Sequence, residues 1–520
     1  MKITEKIKSS LIKFLNFGEY KILEESSHTL LMNGFDDPWL INIYAISLAK
    51  QKKYNLAKKY LNYLCENFKN AFDPFFNLGN LYRDSEENEN ALGSYLKAHE
   101  LDRKNIDCIN EITKIYTDKN KNIKKAKTYN KLALKLKPNS SFAIQNSAQI
   151  LLNTGEFEKA IRQFNKAINL SNDQETINKI HASIGIAKIG LGLYAEARKL
   201  LQLVNNDDSK YNISVIDLRE GNFKNGWKNF FEKNRNIRGG WNNLKLLPEW
   251  LPNKNFTFPL VLAEQGLGDQ LMFCSLLNEL KKRNIKFDLN IDTRLHNLLK
   301  NIFPATNFFD ADDIKHDLNL KPYDSITCIG TLCKYFRNSE SEFEKSDQLI
   351  LYPDTKILKK MTKLFSSDKV KIGLSWNTTN PQQQKRNLSL KQFGFIFSRN
   401  DIELINLQYG DHTDEIRRVT KKYNKNFFND GIDNTKDIDS LAAKMSICDI
   451  IITIDNTTAH LAGLLNLPTL LLLPKFCDWR WLINRKESLW YPSLKLIRQD
   501  KINNWDSVLK DVSHYINKIS

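Results

Sequence analysis

The stretch Asp455-Asn456-Thr457-Thr458-Ala459-His460 places a carboxylate, an amide, two hydroxyls and an imidazole within six positions. It follows the apolar run Ile450 to Ile454 and opens an apolar, helix-like segment ending near Leu465, after which Leu467-Pro468 leads into a second apolar run, Thr469 to Leu473. Strand, polar turn, helix, strand is a βαβ pattern, in which a helix N-terminus faces the carboxyl ends of parallel strands. The free backbone N–H groups of such a terminus, joined by hydroxyls and an imidazole, suit a phosphate-bearing ligand; the plainer alternative is a polar turn that only caps its helix.

Two further polar turns share this half of the chain. Ser375-Trp376-Asn377 ends an apolar run, with Arg386 nine residues beyond Asn377, and Gln408-Tyr409-Gly410-Asp411 ends another. Three such strand ends on one sheet edge would define a ligand crevice. Upstream, Glu264-Gln265-Gly266-Leu267-Gly268-Asp269 joins a strand to a helix with Leu271, Phe273, Leu276 and Leu277 on its apolar face. Gly266 and Gly268 let a ligand approach the backbone, and Asp269 serves either a site or simply the helix cap. A dinucleotide fingerprint is excluded, because the third glycine is absent. The aromatic segment Asp478-Trp479-Arg480-Trp481 reads as packing, or as a platform with Arg480 meeting an anionic group.

The elements that must position these residues alternate from Pro259 onward. Strands are expected at Leu260–Ala263, Phe287–Ile291, Ser325–Ile329, Val370–Trp376, Ile402–Gln408, Ile450–Ile454 and Thr469–Leu473. Strands interleaved with helical stretches argue for doubly wound parallel sheets. This gives a first α/β lobe at 259–345, a connector at 346–368, and a second lobe with a C-terminal helix at 369–520. A linker rich in Pro, Asn and Lys is expected at 241–258.

Residues 1–240 have a different rhythm. Ala57, Ala91, Ala126, Ala160 and Ala197 recur at spacings of 34, 35, 34 and 37, and most have a small residue twelve positions earlier (Ala45, Gly79, Ala148, Gly185). Paired antiparallel helices approach closely only where small side chains meet, so the period predicts an array of helical hairpins. About five units are readable, followed by a degenerate one at Gly221 to Phe231. Met1 to Asn16 is basic and amphipathic, and reads as the array's first packed helix in preference to a membrane-surface helix.

Composition bounds the rest. At 520 residues the chain needs more than one core, and its net charge of +17 comes from lysines scattered among many Asn and Ile residues. No nucleic-acid-binding motif accompanies that charge, and no apolar run approaches the ~20 residues of a membrane helix. Seven cysteines without pairing rhythm read as reduced thiols and point to the cytoplasm. Asp310-Ala311-Asp312-Asp313 superficially suits a metal but lies in a polar connector, so no metal ligand set is assigned.

The 34-residue pattern resembles the tetratricopeptide repeat. Residues 258–505 resemble the two-lobed GT-B glycosyltransferases, closest to the heptosyltransferase-like (family 9-like) group, in the glycine turn before Asp269, Gly373 to Trp376, Leu407-Gln408, Asp455 to Gly463, and Asp478 through Gln499. That resemblance implies metal-independent, inverting transfer of a sugar from a nucleotide diphosphate to a protein or glycan hydroxyl. It makes Asp269 the general base, puts Gln265, Gly266 and Gly268 in the loop beside it, and gives the second lobe the donor. Trp376, Asn377, Arg386, Gln408, Asp455, Asn456, Thr457, Thr458, His460 and Arg480 would line that donor site, with no cofactor besides the nucleotide sugar. The repeats would recognise the acceptor; the alternative for them is a scaffold that only shapes or dimerises the neighbouring domain, so a homo-oligomer stays open. From another class comes the alternative of a non-catalytic repeat scaffold with a degenerate transferase-like half.

Overall fold

A computed structural model describes residues 3–118, 122–231, 247–263, 266–310, 319–365, 368–378 and 386–518. Gln265, most of the Asp310 to Asp313 cluster and the first part of the 241–258 linker lie outside them. By contacts the chain divides into two units, Met1–Ala187 and Lys188–Ser520.

The first unit is a succession of helical hairpins: Glu5–Asn16 with Tyr20–Met32, Pro38–Lys50 with Tyr54–Asn67, Phe72–Asp84 with Asn88–Leu101, Ile106–Asp118 with Ile123–Leu136, and Ser141–Asn153 with Phe157–Asn169. The amphipathic N-terminal helix packs Leu11 onto Leu23, Leu40 and Ile43, as a first array helix should. Ala57, Ala91, Ala126 and Ala160 are fully buried where paired helices approach. Sharp turns between helices need a left-handed residue, supplied by Gly155 (φ 71°) but by Lys52 and Glu86 elsewhere. Consecutive hairpins are also tied by asparagines one period apart: Asn77 donates to the Asn42 side chain (3.1 Å), and Asn146 and Asn153 to the Asn110 and Thr117 carbonyls (both 3.1 Å).

The helix Gln174–Gly190 runs into the second unit, which continues with the helices Tyr194–Val204, Asp207–Arg219 and Phe223–Phe230. The degenerate repeat is thus a real hairpin, and by contacts it belongs with the sheets. The sheets are wholly parallel. The first contains β1 (Pro259–Leu262), β2 (Asp288–Asn290), β3 (Phe308–Phe309) and β4 (Ser325–Cys328), in the order β3-β2-β1-β4. Part of the expected linker is ordered against it: Trp250 N–H donates to the Ile326 carbonyl and Ile326 N–H to that of Pro248.

The second sheet contains β5 (Val370–Ser375), β6 (Ile402–Asn406), β7 (Phe427–Phe428), β8 (Ile450–Ile454), β9 (Thr469–Leu473) and β10 (Leu494–Arg498). Their order is β10-β9-β8-β5-β6-β7. β8 and β9 are buried at every position, as parallel strands covered on both faces must be. In each sheet the strand order reverses once, between β1 and β4 and between β5 and β8. Chains diverge at such switch points, leaving a crevice beyond the strand ends.

Gly79 tests the close approach in the array. A Cβ there would stand 2.6 Å from the ring of fully buried Tyr95, whose hydroxyl is held by Asn80 (2.7 Å). The clash outweighs the roughly 1 kcal/mol that alanine gains over glycine in a helix. Gly79→Ala is expected to destabilise the full chain by about 1–3 kcal/mol in urea denaturation.

Candidate functional site

Both switch points open onto short helices whose first turns face one another. Gly266 caps the helix Leu267–Cys274 and Asn456 caps Thr457–Leu464, each without a side-chain cap bond. A Cβ on Gly268 would lie 3.1 Å from the His460 ring and 3.7 Å from Thr457 Oγ1, so glycine admits the second helix at that distance. Asp269 therefore does not cap its helix. Its carboxylate is paired with Arg480 from the other side of the cleft.

From that contact runs a chain of alternating charge. Arg480 Nη1 donates to Asp478 Oδ1 (2.5 Å), Asp478 Oδ2 stands 3.9 Å from Arg386 Nη2, and Arg386 Nη1 donates to the Asp455 carbonyl (3.0 Å) while standing 2.8 Å from Asp455 Oδ2 as an ion pair. Three carboxylates and two guanidinia thus share one largely buried strip. Burial pushes the Asp478 carboxyl up, but Arg480, Arg386 and Arg219 outweigh it and hold it well below the usual carboxylate range. At Asp455 burial wins over Arg386, and the carboxyl is raised. Burial works against the Arg480 charge, yet Asp269, Asp478 and Asp455 hold that guanidinium firmly protonated.

The other expected site residues fall into two groups. Thr457 is partly accessible at the helix start, Thr458 is buried behind it, and Asn377 lies at the mouth with its side-chain oxygen held by Asn387 (2.9 Å). Trp376, Gln408, Asn456 and His460 are turned inward. The fully buried Trp376 indole donates to Glu415 (3.1 Å). Gln408 Oε1 accepts the backbone N–H groups of Trp376 and Asn377 (both 2.8 Å), while its Nε2 donates to the Asn377 and Tyr409 carbonyls. Asn456 links Thr453 and Ser375 across β8 and β5 (both 3.0 Å). His460 stacks on Trp481 (5.4 Å, 23°), with Nδ1 3.1 Å from the Tyr491 hydroxyl. These four build the crevice walls.

Two residues already within the candidate turns, but given no role there, join the site. Asp478 couples the two arginines; its signal was its place two residues before Arg480, masked by Trp479 and Trp481. Tyr409 bonds Thr378 within electrostatic reach of Arg386 and Asp455. Among the described residues no group of three or more His, Cys, Asp or Glu could hold a metal ion, and no helix is long and apolar enough to cross a membrane.

The tetratricopeptide repeat family matches residues 143–174. That match falls on the hairpin of Ser141–Asn153 with Phe157–Asn169 within the helical array. Protein FlbA of Caulobacter vibrioides is 23% identical over 271 residues, 49% of this chain and 45% of the relative, so the chain spans less than half the length of that relative. Among solved structures, a tetratricopeptide repeat protein from Parabacteroides merdae overlaps 45% of this chain and 93% of its own, at 16% identity and a TM-score of 0.38. The APC/C hetero-tetramer Cut9-Hcn1 overlaps 43% of this chain and 44% of its own, at 16% identity and 0.39. Repeats of this kind imply a protein-interaction scaffold.

The buried imidazole offers a measurable signature. Burial, reinforced by Arg480, lowers the His460 pKa from 6.5 to about 3. The unfolded chain therefore binds a proton below pH 6.5 that the folded chain refuses. Stability is retained above that pH and lost toward pH 3, by up to about 1.4 kcal/mol per pH unit. Denaturation midpoints from pH 7 to 4 should fall less steeply in His460→Gln than in the wild type; parallel slopes would refute the assignment.

Proposed function

We propose that the second unit transfers a glycosyl group from a nucleotide-diphosphate donor to a hydroxyl, while the tetratricopeptide array holds the protein or glycan that bears it. The observation that carries this reading is the buried charge strip between two facing helix N-termini, at the switch points of two doubly wound sheets. Paired sheets meeting across a crevice are the plan of GT-B transferases, in keeping with the motifs from Glu264 to Gln499. Burying five charges costs several kcal/mol per ion before pairing offsets it, so such a strip is a poor means of stabilising a fold and a common mark of a site.

The chemistry follows from the positions. Donor phosphates at the Thr457 helix start would meet its backbone N–H groups, with Arg480 and Arg386 alongside. A diphosphate that takes Arg480 releases Asp269 from its ion pair. Asp269 then accepts the acceptor's hydroxyl proton as that oxygen bonds the sugar's anomeric carbon. The bond from that carbon to the diphosphate breaks with its electron pair on the departing phosphate, where the two guanidinia meet the charge. The sugar inverts because attack and departure lie on opposite faces.

A second reading, a repeat scaffold whose α/β half is structural, draws on the internal satisfaction of Trp376, Gln408, Asn456 and His460. Calorimetry with uridine, guanosine and adenosine diphosphates separates the two: one should bind, Arg480→Ala should weaken it at least about tenfold, and binding of none favours the scaffold. With a turned-over donor, Asp269→Asn should lower kcat by about a thousandfold or more while donor affinity is kept or improved. Unchanged turnover removes Asp269 as the base.

A further inference from the structure

The turn that carries Arg480 is assembled partly by the last helical hairpin. Trp479 stands edge-on to Trp227 (5.4 Å, 85°) and to Phe230 (5.1 Å, 71°), both from the helix Phe223–Phe230. The Arg480 guanidinium lies over the Trp479 ring at 4.5 Å, so the aromatic contact sets where the cation starts. Trp227 is itself fixed, fully buried with its indole donating to the Arg337 carbonyl (2.6 Å).

The preceding helix, Asp207–Arg219, meets the same turn along one face. Tyr211, Val215 and Arg219 recur at four-residue spacing and so align. Tyr211 stacks on Phe230 (5.3 Å, 25°), and Asp478, Arg480 and Asp269 all act on its hydroxyl. At the helix end, the Arg219 carbonyl accepts the Ile483 N–H (3.1 Å). Its guanidinium stands 5.9 Å from the Tyr194 ring, its Nε is buried without a hydrogen-bond partner, and its charge reaches Asp478. Between these anchors Leu482 adopts φ 55° and ψ −176°, a backbone that a branched residue holds only where its surroundings over-determine it.

We propose that Arg219 is a positioning residue: its guanidinium, held on Tyr194 behind the Asp478 turn, fixes the conformation in which Arg480 faces Asp269. The array's last hairpin is then a working part of the crevice. The proposal concerns the turn itself and rests on the donor-site reading only for its effect on ligand affinity.

The full-length chain with Arg219→Gln tests it, since glutamine keeps most of the stem and the helix propensity while removing the charge; Arg219→Lys restores the charge. Backbone amide exchange at residues 478–483 should quicken at least about tenfold in the Gln variant, with exchange along 207–219 unchanged, and return toward wild type in the Lys variant. Affinity for inorganic pyrophosphate should fall about fivefold or more in Gln and recover in Lys. Wild-type exchange at 478–483 in the Gln variant overturns the proposal, as does equal acceleration in Gln and Lys. If no form binds pyrophosphate while exchange responds as stated, the positioning role stands and the anion-site reading falls.

Discussion

The alternation of charge from Asp269 through Arg480, Asp478 and Arg386 to Asp455 is the interaction on which the second unit turns. Each member is tolerable only because a neighbour of opposite sign stands beside it in a poorly solvated place. The dependence runs across the cleft, since Asp269 rises from the first sheet and the other four residues from the second. Groups so tied respond together, and any change of charge at one guanidinium would alter the balance at every carboxylate along the strip.

Backbone topology makes the strip possible. Reversal of strand order after β1 and after β5 leaves both crevices open on the carboxyl side, where Gly268 lets the two helix starts approach to within side-chain contact. Behind them, Gly463 lies so close to Tyr491 that a Cβ would stand 2.2 Å from the ring, and Tyr491 in turn meets His460. Polar side chains that look like ligands in a linear reading are spent on this architecture. Gln408 is the clearest case, its amide binding four backbone groups at the ends of β5 and β6.

Periodicity made the helical array legible, and all seven expected strands correspond to strands in the parallel sheets. β3 and β7, two residues each, are too short to produce a pattern, and β10 (Leu-Lys-Leu-Ile-Arg) alternates like a half-exposed strand because it lies at a sheet edge. The Asp455 and Asp269 turns could be placed at helix starts from sequence. What could not be read was direction: whether Asp269 bends back to cap its own helix or forward to Arg480 depends on a residue 211 positions away. Trp227 was visible as a degenerate repeat position, but its meeting with Trp479 is a tertiary fact with no local signature.

Repeat arrays ordinarily finish in a helix with a polar outer face, because an unfinished apolar edge invites aggregation. Here Trp227, Phe230 and Phe231 belong to the same apolar core as Phe273 and Trp479, so the terminal hairpin has its partner built in. That asymmetry has a consequence for how such a chain can diversify. Whole units can be duplicated or lost near the front, altering only the array's length, whereas the hairpin from Asp207 to Phe230 cannot be exchanged for a generic repeat without uncovering the crevice's own core. Descendants of this architecture should therefore differ in repeat number while sharing an aromatic-rich final hairpin.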